Sequence, residues 1–251
     1  MSPLHPILST QHNFRDLGGI VAIDGRHVKH GLLFRSGDLF SISADDISIL
    51  EDMKLLLVID FRAQRESDRR PNKTISTVKE IIHLRIHDRA REQAEKFLEE
   101  NDAAGLETVL VGDYRRMVRT HAAEFRDFLH ILEKTDNLPL VYHCAAGKDR
   151  TGLATVFLLT ALGVAMPVIW EDYLVTNLCM RAAIEKFISK ISESGLNGEI
   201  LRPMMEVRRE YLEAALDEIL EISGSLEKFV TEVLKADTRK LREKYLEGEP
   251  G

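Results

Sequence analysis

Residues 143–152 read HCAAGKDRTG. They follow a short apolar run at 138–142, LPLVY, and lead into a second at 153–163, LATVFLLTALG. The pattern predicts a buried strand ending at Tyr142, a tight loop of small residues, and a helix beginning near Arg150. Ala145, Ala146 and Gly147 allow successive backbone N–H groups to turn inward as an anion-binding nest. The first turn of the helix adds unpaired amides and a partial positive charge. Arg150 adds a planar fork that fits two phosphate oxygens. The loop therefore reads as a cradle for a dianion, with Cys144 at its base. The same donors stabilise a thiolate, and a thiolate beneath a phosphate is a nucleophile aimed at phosphorus. Thr151, just past the arginine, is placed to hydrogen-bond the sulfur when it becomes the leaving group. His143 reads as an orienting residue acting through backbone hydrogen bonds, because a thiolate needs no base.

Two rival readings of these letters are weaker. A nucleotide-binding P-loop requires Ser or Thr after its lysine and a glycine where this chain has Tyr142. A buried cysteine with an accidental arginine six residues on is the bland alternative. The full spacing His-Cys-x-x-Gly-x-x-Arg-Thr-Gly, between a strand and a helix, weighs against it.

The 251 residues suffice for one large domain with a substantial core, or for two small ones. A formal net charge of -7 argues against a whole-chain nucleic-acid surface while allowing a local basic pocket. Two cysteines cannot build a disulfide framework and fit a reducing compartment or a chemical role. The start, MSPLHPILSTQHNFRDLGG, has no basic segment ahead of an apolar one. No secretory leader is expected, so a cytoplasmic location is, with non-conventional secretion left open. Residues 152–170 carry no charge, but Gly163 and Pro167 interrupt them. Two helices joined at 162–164 explain that run better than a membrane span.

Elsewhere, Asp24-Gly25 signals a hairpin between VAI and RHVK, and GLLFRSGDL a strand running into a turn. SADDISILEDM reads as a helix capped by Ser43. KLLLVIDF is a strand buried on both faces and VKEIIHLRI a further strand, with a short charged helix or turn at 62–70 between them. Residues 89–134 are helical in pattern. After the loop, helices are expected over 151–162, 167–176, 180–191, 207–222 and 226–234, with a last short one within 236–248. No repeat or linker is evident. The chain reads as a single α/β domain over 1–251 with a mostly helical C-terminal half.

These motifs identify a resemblance. HCAAGKDRTG, with NFRDLGG, LFRSGDL and VIDFRAQRE, resembles the cysteine-dependent protein tyrosine phosphatase superfamily, marked by HCx5R. The likeness is greatest to its bacterial and fungal branch, typified by a mycobacterial secreted enzyme. EDYLVTN and VRREYLEAAL match more weakly, and the resemblance runs from about Asn13 to Leu241. It implies a tyrosine-phosphatase-like central sheet flanked by helices. It also implies a two-step hydrolysis through a phosphocysteine on Cys144, with charge stabilisation by Arg150 and the backbone rather than by a metal or cofactor.

The leaving oxygen needs a proton. Asp88 lies at the upstream position from which many relatives supply it. Asp149 lies within the loop, where members of this branch and the myotubularin lipid phosphatases place a proposed acid. Asp149 is favoured because the loop fixes it near the phosphate; the bland readings are a helix cap for Asp88 and a helix-dipole partner for Asp149. Lys148 could meet a second phosphate, as in phosphoinositide phosphatases, or be solvated at the loop tip. Asp60, Arg62 and Glu66 are expected beside the loop, Asp60 or Glu66 holding a loop arginine, against a local Arg62–Glu66 pair. Arg15, Asp16, Arg35 and Ser36 read as scaffolding. Cys179 reads as a buried apolar cysteine, with disulfide formation to Cys144 a remote alternative. The resemblance implies a helical lid over 178–207. Substrates are then phosphorylated proteins, chiefly at tyrosine, or phosphoinositides. A non-catalytic phosphate binder and a sulfur-transfer enzyme are the competing classes.

Overall fold

The computed structural model describes residues 7–249. Part of the stretch read for a leader, and the two ends of the predicted domain, lie outside them. The strands in chain order are β1 (Arg15–Asp16), β2 (His27–Val28), β3 (Leu33–Ser36), β4 (Leu57–Asp60), β5 (Glu80–His83), β6 (Leu140–His143) and β7 (Leu246–Glu247). The helices are α1 (Ala44–Asp52), α2 (Gln64–Arg69), α3 (Ala90–Glu99), α4 (Ala103–Thr120), α5 (Ala122–Lys134), α6 (Asp149–Leu162), α7 (Met166–Glu193), α8 (Arg202–Met205), α9 (Arg209–Ser223), α10 (Leu226–Lys228) and α11 (Thr238–Tyr245).

The unbroken apolar runs become the centre of a five-stranded sheet of order β1-β3-β6-β4-β5, parallel except for the edge strand β1. Every residue of β3, β4 and β6 is buried. Their side chains alternate between faces, as a pleated strand requires. Leu33, Leu57, Ile59, Leu140 and Tyr142 enter a large core with α4, α5, α6 and α9. Phe34, Val58 and Val141 enter a smaller one with Phe14, Leu50 and Ile75. Ser36, Asp60 and His143 stand level across the three strands. The chain therefore leaves all three at one edge of the sheet, where parallel α/β sheets carry their sites. The expected α/β class, with helices flanking a central sheet, is the one observed.

α6 is buried on nearly every side and ends at Gly163, whose φ of 79° is the left-handed turn that stops it. α7 then starts with Pro167 in its first turn. The uncharged run is thus two helices, and among the described residues no helix is long and apolar enough to cross a membrane.

Three local expectations need correction. The helices read over 167–176 and 180–191 are one, α7, because nothing at 177–179 breaks it and Asn177 pairs sideways with Val207. The Asp24-Gly25 hairpin shrinks to one bridge between Val21 and His27, since β2 instead pairs with β7 from the far end of the chain. The helix read over 226–234 continues past α10 as a π-helical turn at Phe229–Val233. Ser43 does cap α1, accepting from Asp46 N at 3.0 Å.

Candidate active site

A nest requires amides turned in, so its carbonyls must be turned out and satisfied. Each carbonyl of the loop has its own donor. Cys144 O accepts from His143 Nδ1 at 3.0 Å, and Ala145 O from Asp38 N at 2.9 Å. Ala146 O accepts from Asn13 Nδ2 at 2.8 Å, and Gly147 O from Arg35 Nη2 at 2.9 Å. Gly147 has a φ of 72°, and a Cβ there would lie 2.4 Å from the Ser36 carbonyl group. Only glycine fits. Cys144 lies at the base of this loop and is 2% exposed.

Arg150 closes the cradle. Its Nη1 and Nη2 donate to Glu66 Oε2 and Oε1 at 2.6 and 2.8 Å, and Nη1 also reaches Ile86 O at 3.2 Å. Burial pulls the Glu66 pKa up, but Arg150 outweighs it and the carboxyl stays below its usual range. Burial would equally weaken the guanidinium, yet Glu66 and the neighbouring acids hold it above its ordinary value. The local Arg62–Glu66 pair is not formed. Arg62 instead lies against Asp60, with Nε and Nη2 donating at 2.9 and 2.7 Å. Burial raises the Asp60 pKa, and the hydrogen bonds and charge of Arg62 outweigh that. Burial lowers the His143 pKa, so the ring is neutral, its Nδ1 donating to Cys144 O and its Nε2 3.0 Å from Asn72 Nδ2.

Behind the loop lies a charged network. Asp172 on α7 accepts from Arg15 Nε at 3.0 Å and also from Arg35 Nη1. Arg15 Nη1 holds Asn13 Oδ1 at 2.5 Å, and Asn13 in turn holds the loop. Burial opposes the Asp172 charge, but the two arginines keep its pKa depressed. Arg35 therefore supports the loop directly, and Arg15 supports it through Asn13. Asp16 does not: it accepts from Gly18 N and Gly31 N at 2.9 and 2.8 Å, in a turn. The Ser36 and Thr151 hydroxyls are buried without partners. The expected bond between Thr151 Oγ1 and Cys144 is thus not made.

The two candidate acids differ in their surroundings. Asp149 Oδ1 accepts from Tyr114 Oη at 2.7 Å, while Oδ2 lies 3.4 Å from Lys148 Nζ. Asp88 caps the start of α3 through Ala90 N at 3.1 Å and lies 3.8 Å from Arg150 Nη2. Lys148 is not solvated at a loop tip. It is 5% exposed and donates to Glu206 O at 3.1 Å. Cys179 is partly buried and not disulfide-bonded, and burial pushes its thiol pKa up.

A cleft of about 860 Å³ opens beside Ala145, bounded by Asp38, Glu66, Asp88 and the arginines 65, 69 and 89. Sequence reasoning missed Asn13, Asn72, Tyr114, Asp172 and Tyr173. Asn13, Asp172 and Tyr173 fall inside the motifs NFRDLGG and EDYLVTN, which are their visible signal. Tyr114 lies on the buried face of α4, where a core ring and a hydrogen-bonding ring read alike.

Comparison with known proteins agrees with this arrangement. A family model described as the tyrosine phosphatase family matches residues 7–247. A protein of Cupriavidus necator assigned as a tyrosine-protein phosphatase is 31% identical over 252 residues, covering 95% of this chain and 87% of its own. The triple specificity protein phosphatase PtpB of Mycobacterium tuberculosis is 28% identical over 247 residues, covering 85% and 88%. A crystal structure of P. aeruginosa TpbA in complex with phosphotyrosine matches at a TM-score of 0.35 and 14% identity, over 88% of this chain and 89% of that one. That last likeness is too loose to bear weight.

Proposed function

The chain belongs to the tyrosine phosphatase family, and we propose that it hydrolyses phosphotyrosine through a phosphocysteine on Cys144, with Asp149 as the acid. The observation that carries this reading is the loop itself. A buried cysteine lies under amides whose carbonyls are all held away, beside an arginine locked by a bidentate carboxylate.

In the first step Cys144 Sγ forms a bond to phosphorus as the bond to the tyrosyl oxygen breaks. Asp149 delivers its proton to that oxygen. Charge on the transferring phosphoryl group is met by the amides of Ala145, Ala146 and Gly147, by the α6 N-terminus and by Arg150. In the second step water attacks phosphorus and Asp149 takes its proton. The S–P bond breaks and the thiolate returns, with phosphate as product. Thr151 Oγ1, buried and unpartnered, is available to donate to the departing sulfur. Asp60, Arg62 and His143 hold the strand ends from which the loop springs.

A broader substrate range, including phosphoinositides, is favoured by the cleft beside Ala145. Arg65, Arg69 and Arg89 stand on its wall, together with the carboxylates of Glu92 and Glu95. These arginines suit a second phosphate better than Lys148, whose ammonium is already committed to Glu206 O. Segment 178–207 acts as a lid in this reading, since its end reaches the loop through Glu206.

Hydrolysis of an aryl phosphate without added metal, by wild type, Cys144→Ser, Asp149→Asn and Asp88→Asn, tests the proposal. Activity retained by Cys144→Ser removes the covalent route. An unimpaired Asp149→Asn with a crippled Asp88→Asn transfers the acid role to Asp88. A panel of phosphotyrosyl, phosphoseryl and phosphoinositide substrates tests the range.

A further inference from the structure

Asp149 is held by something the reaction does not otherwise use. Tyr114 on α4 is fully buried, and its Oη lies 2.7 Å from Asp149 Oδ1. On its other side the same Oη is 2.9 Å from Tyr173 Oη on α7, which also lies 3.4 Å from Arg208 O. A phenol has one proton to donate, and a carboxylate oxygen can only accept it. The Tyr114 proton therefore points at Asp149, and Tyr173 can donate in turn to the Tyr114 oxygen. Burial pushes both phenols well above their ordinary pKa, and the Asp149 charge adds to this, so both keep their protons.

The consequence concerns the two carboxyl oxygens. Oδ1 is committed to Tyr114, so a proton on Asp149 resides on Oδ2, whose other neighbour, Lys148 Nζ at 3.4 Å, directs a proton to Glu206 O instead. The terminal torsion of an aspartate is broad, with two nearly equivalent orientations. Without an anchor the carboxyl would rotate and present either oxygen, protonated or not, to the leaving group. Proton transfer needs one oxygen within hydrogen-bond reach at the right angle.

We propose that Tyr114, oriented by Tyr173, is the positioning residue for the general acid, fixing Asp149 so that Oδ2 delivers the proton. This rests on Asp149 being the acid. The tyrosine pair never touches the substrate and acts only through the carboxyl.

The test compares kcat/KM for phenyl phosphate, whose leaving group needs a proton, with that for 4-nitrophenyl phosphate, whose leaving group needs one far less. Tyr114→Phe keeps the ring and removes only the hydroxyl. It should lower kcat/KM for phenyl phosphate about tenfold and for the nitrophenyl ester by less than about threefold. Tyr173→Phe should shift the ratio in the same direction by a smaller factor, and it serves if Tyr114→Phe folds poorly. Asp149→Asn should shift it furthest, and adding Tyr114→Phe to Asp149→Asn should shift it no further. Partial unfolding lowers both rates equally and leaves the ratio alone. A wild-type ratio in both tyrosine variants, with a shifted ratio in Asp149→Asn, overturns the positioning role and spares the acid. An unshifted ratio in Asp149→Asn overturns the acid assignment and this proposal with it.

Discussion

Replacing Glu66 by glutamine asks whether the arginine over the loop must be held or merely be present. Glu66 Oε2 accepts from both Arg150 Nη1, at 2.6 Å, and Ala63 N, at 2.9 Å. Oε1 accepts from Arg150 Nη2 at 2.8 Å. A glutamine offers one oxygen and one NH2 to the same donors, so at least one N–H must face another. Losing a single charge-assisted hydrogen bond costs about 1.5–3 kcal/mol, and stripping the partner from a buried charge about 3–5 kcal/mol. Arg150 is 3% exposed, but Glu66 is 30% exposed and Asp88 Oδ2 lies only 3.8 Å from Nη2. Water and Asp88 therefore recover part of the loss, which leaves about 2 kcal/mol. Expressed in kcat/KM, that is about 30-fold. A misaligned fork weakens the bound anion as well as the transition state. The assays are kcat/KM on an aryl phosphate and the inhibition constant of inorganic phosphate, with a thermal melt alongside. Both constants should worsen together. A folded Glu66→Gln protein within about threefold of wild type in both would refute the clamp.

The other predictions probe the scaffold. Asp172→Asn leaves Arg15 and Arg35 short of a counter-charge in a buried network, so it should cost about 3 kcal/mol and depress activity further through the freed Gly147 carbonyl; denaturant melts and kcat/KM check this. Gly147→Ala drives a Cβ into the Ser36 carbonyl group and should abolish phosphate binding, read by the same inhibition constant. Burial alone would raise the Asp46 pKa, but hydrogen bonds from Thr10 and Ser9 bring it down to about 2. A depressed folded-state pKa gives stability that is present above the unfolded value, roughly 3.9, and lost as pH falls through the folded one. Asp46→Asn should therefore be about 2 kcal/mol less stable than wild type at pH 7, with the gap closing towards pH 2. Urea titrations across that range follow it, and a constant gap would contradict the assignment.

The central sheet was readable because β4 and β6 are buried on both faces and so spell continuous apolar runs at 55–59 and 138–142. The loop proposed as catalytic was readable because small residues, cysteine and arginine are contiguous. Pairing at a distance was readable only in part. Of the two readings of Glu66, the hold on a loop arginine 84 residues away is the one formed, while Arg62 takes its partner two residues back. The final helix pattern could not reveal that Leu246–Glu247 turns into a strand against β2. Lys148 reads from sequence as a second-phosphate contact or a solvated loop-tip lysine, because its acceptor is a backbone carbonyl 58 residues on, and backbone acceptors leave no mark in the sequence. Tyr114 falls on the apolar face of α4, where a core ring and a hydrogen-bonding ring read alike.

The scattered motifs have one physical reason in common. An anion nest sets neighbouring carbonyls against the protein interior, where an unpaired C=O is costly. Of the ten loop residues His143 supplies one donor, to Cys144 O, and the small residues that turn the backbone supply none. The other donors come from elsewhere, from Asn13 on one stretch of the N-terminal segment and from Arg35 and Asp38 on another. Two of the donors need holding themselves. Asn13 is held by Arg15, and Arg15 and Arg35 share Asp172 from a helix more than a hundred residues later. NFRD, LFRSGD and EDY are thus parts of one support whose single load is the outward face of the loop. It follows that substitutions at Asn13 or Asp172 should resemble damage to the loop, weakening phosphate binding before they unfold the protein. Equal substitutions at Asp16, which sits in the same motif but serves only a turn, should not.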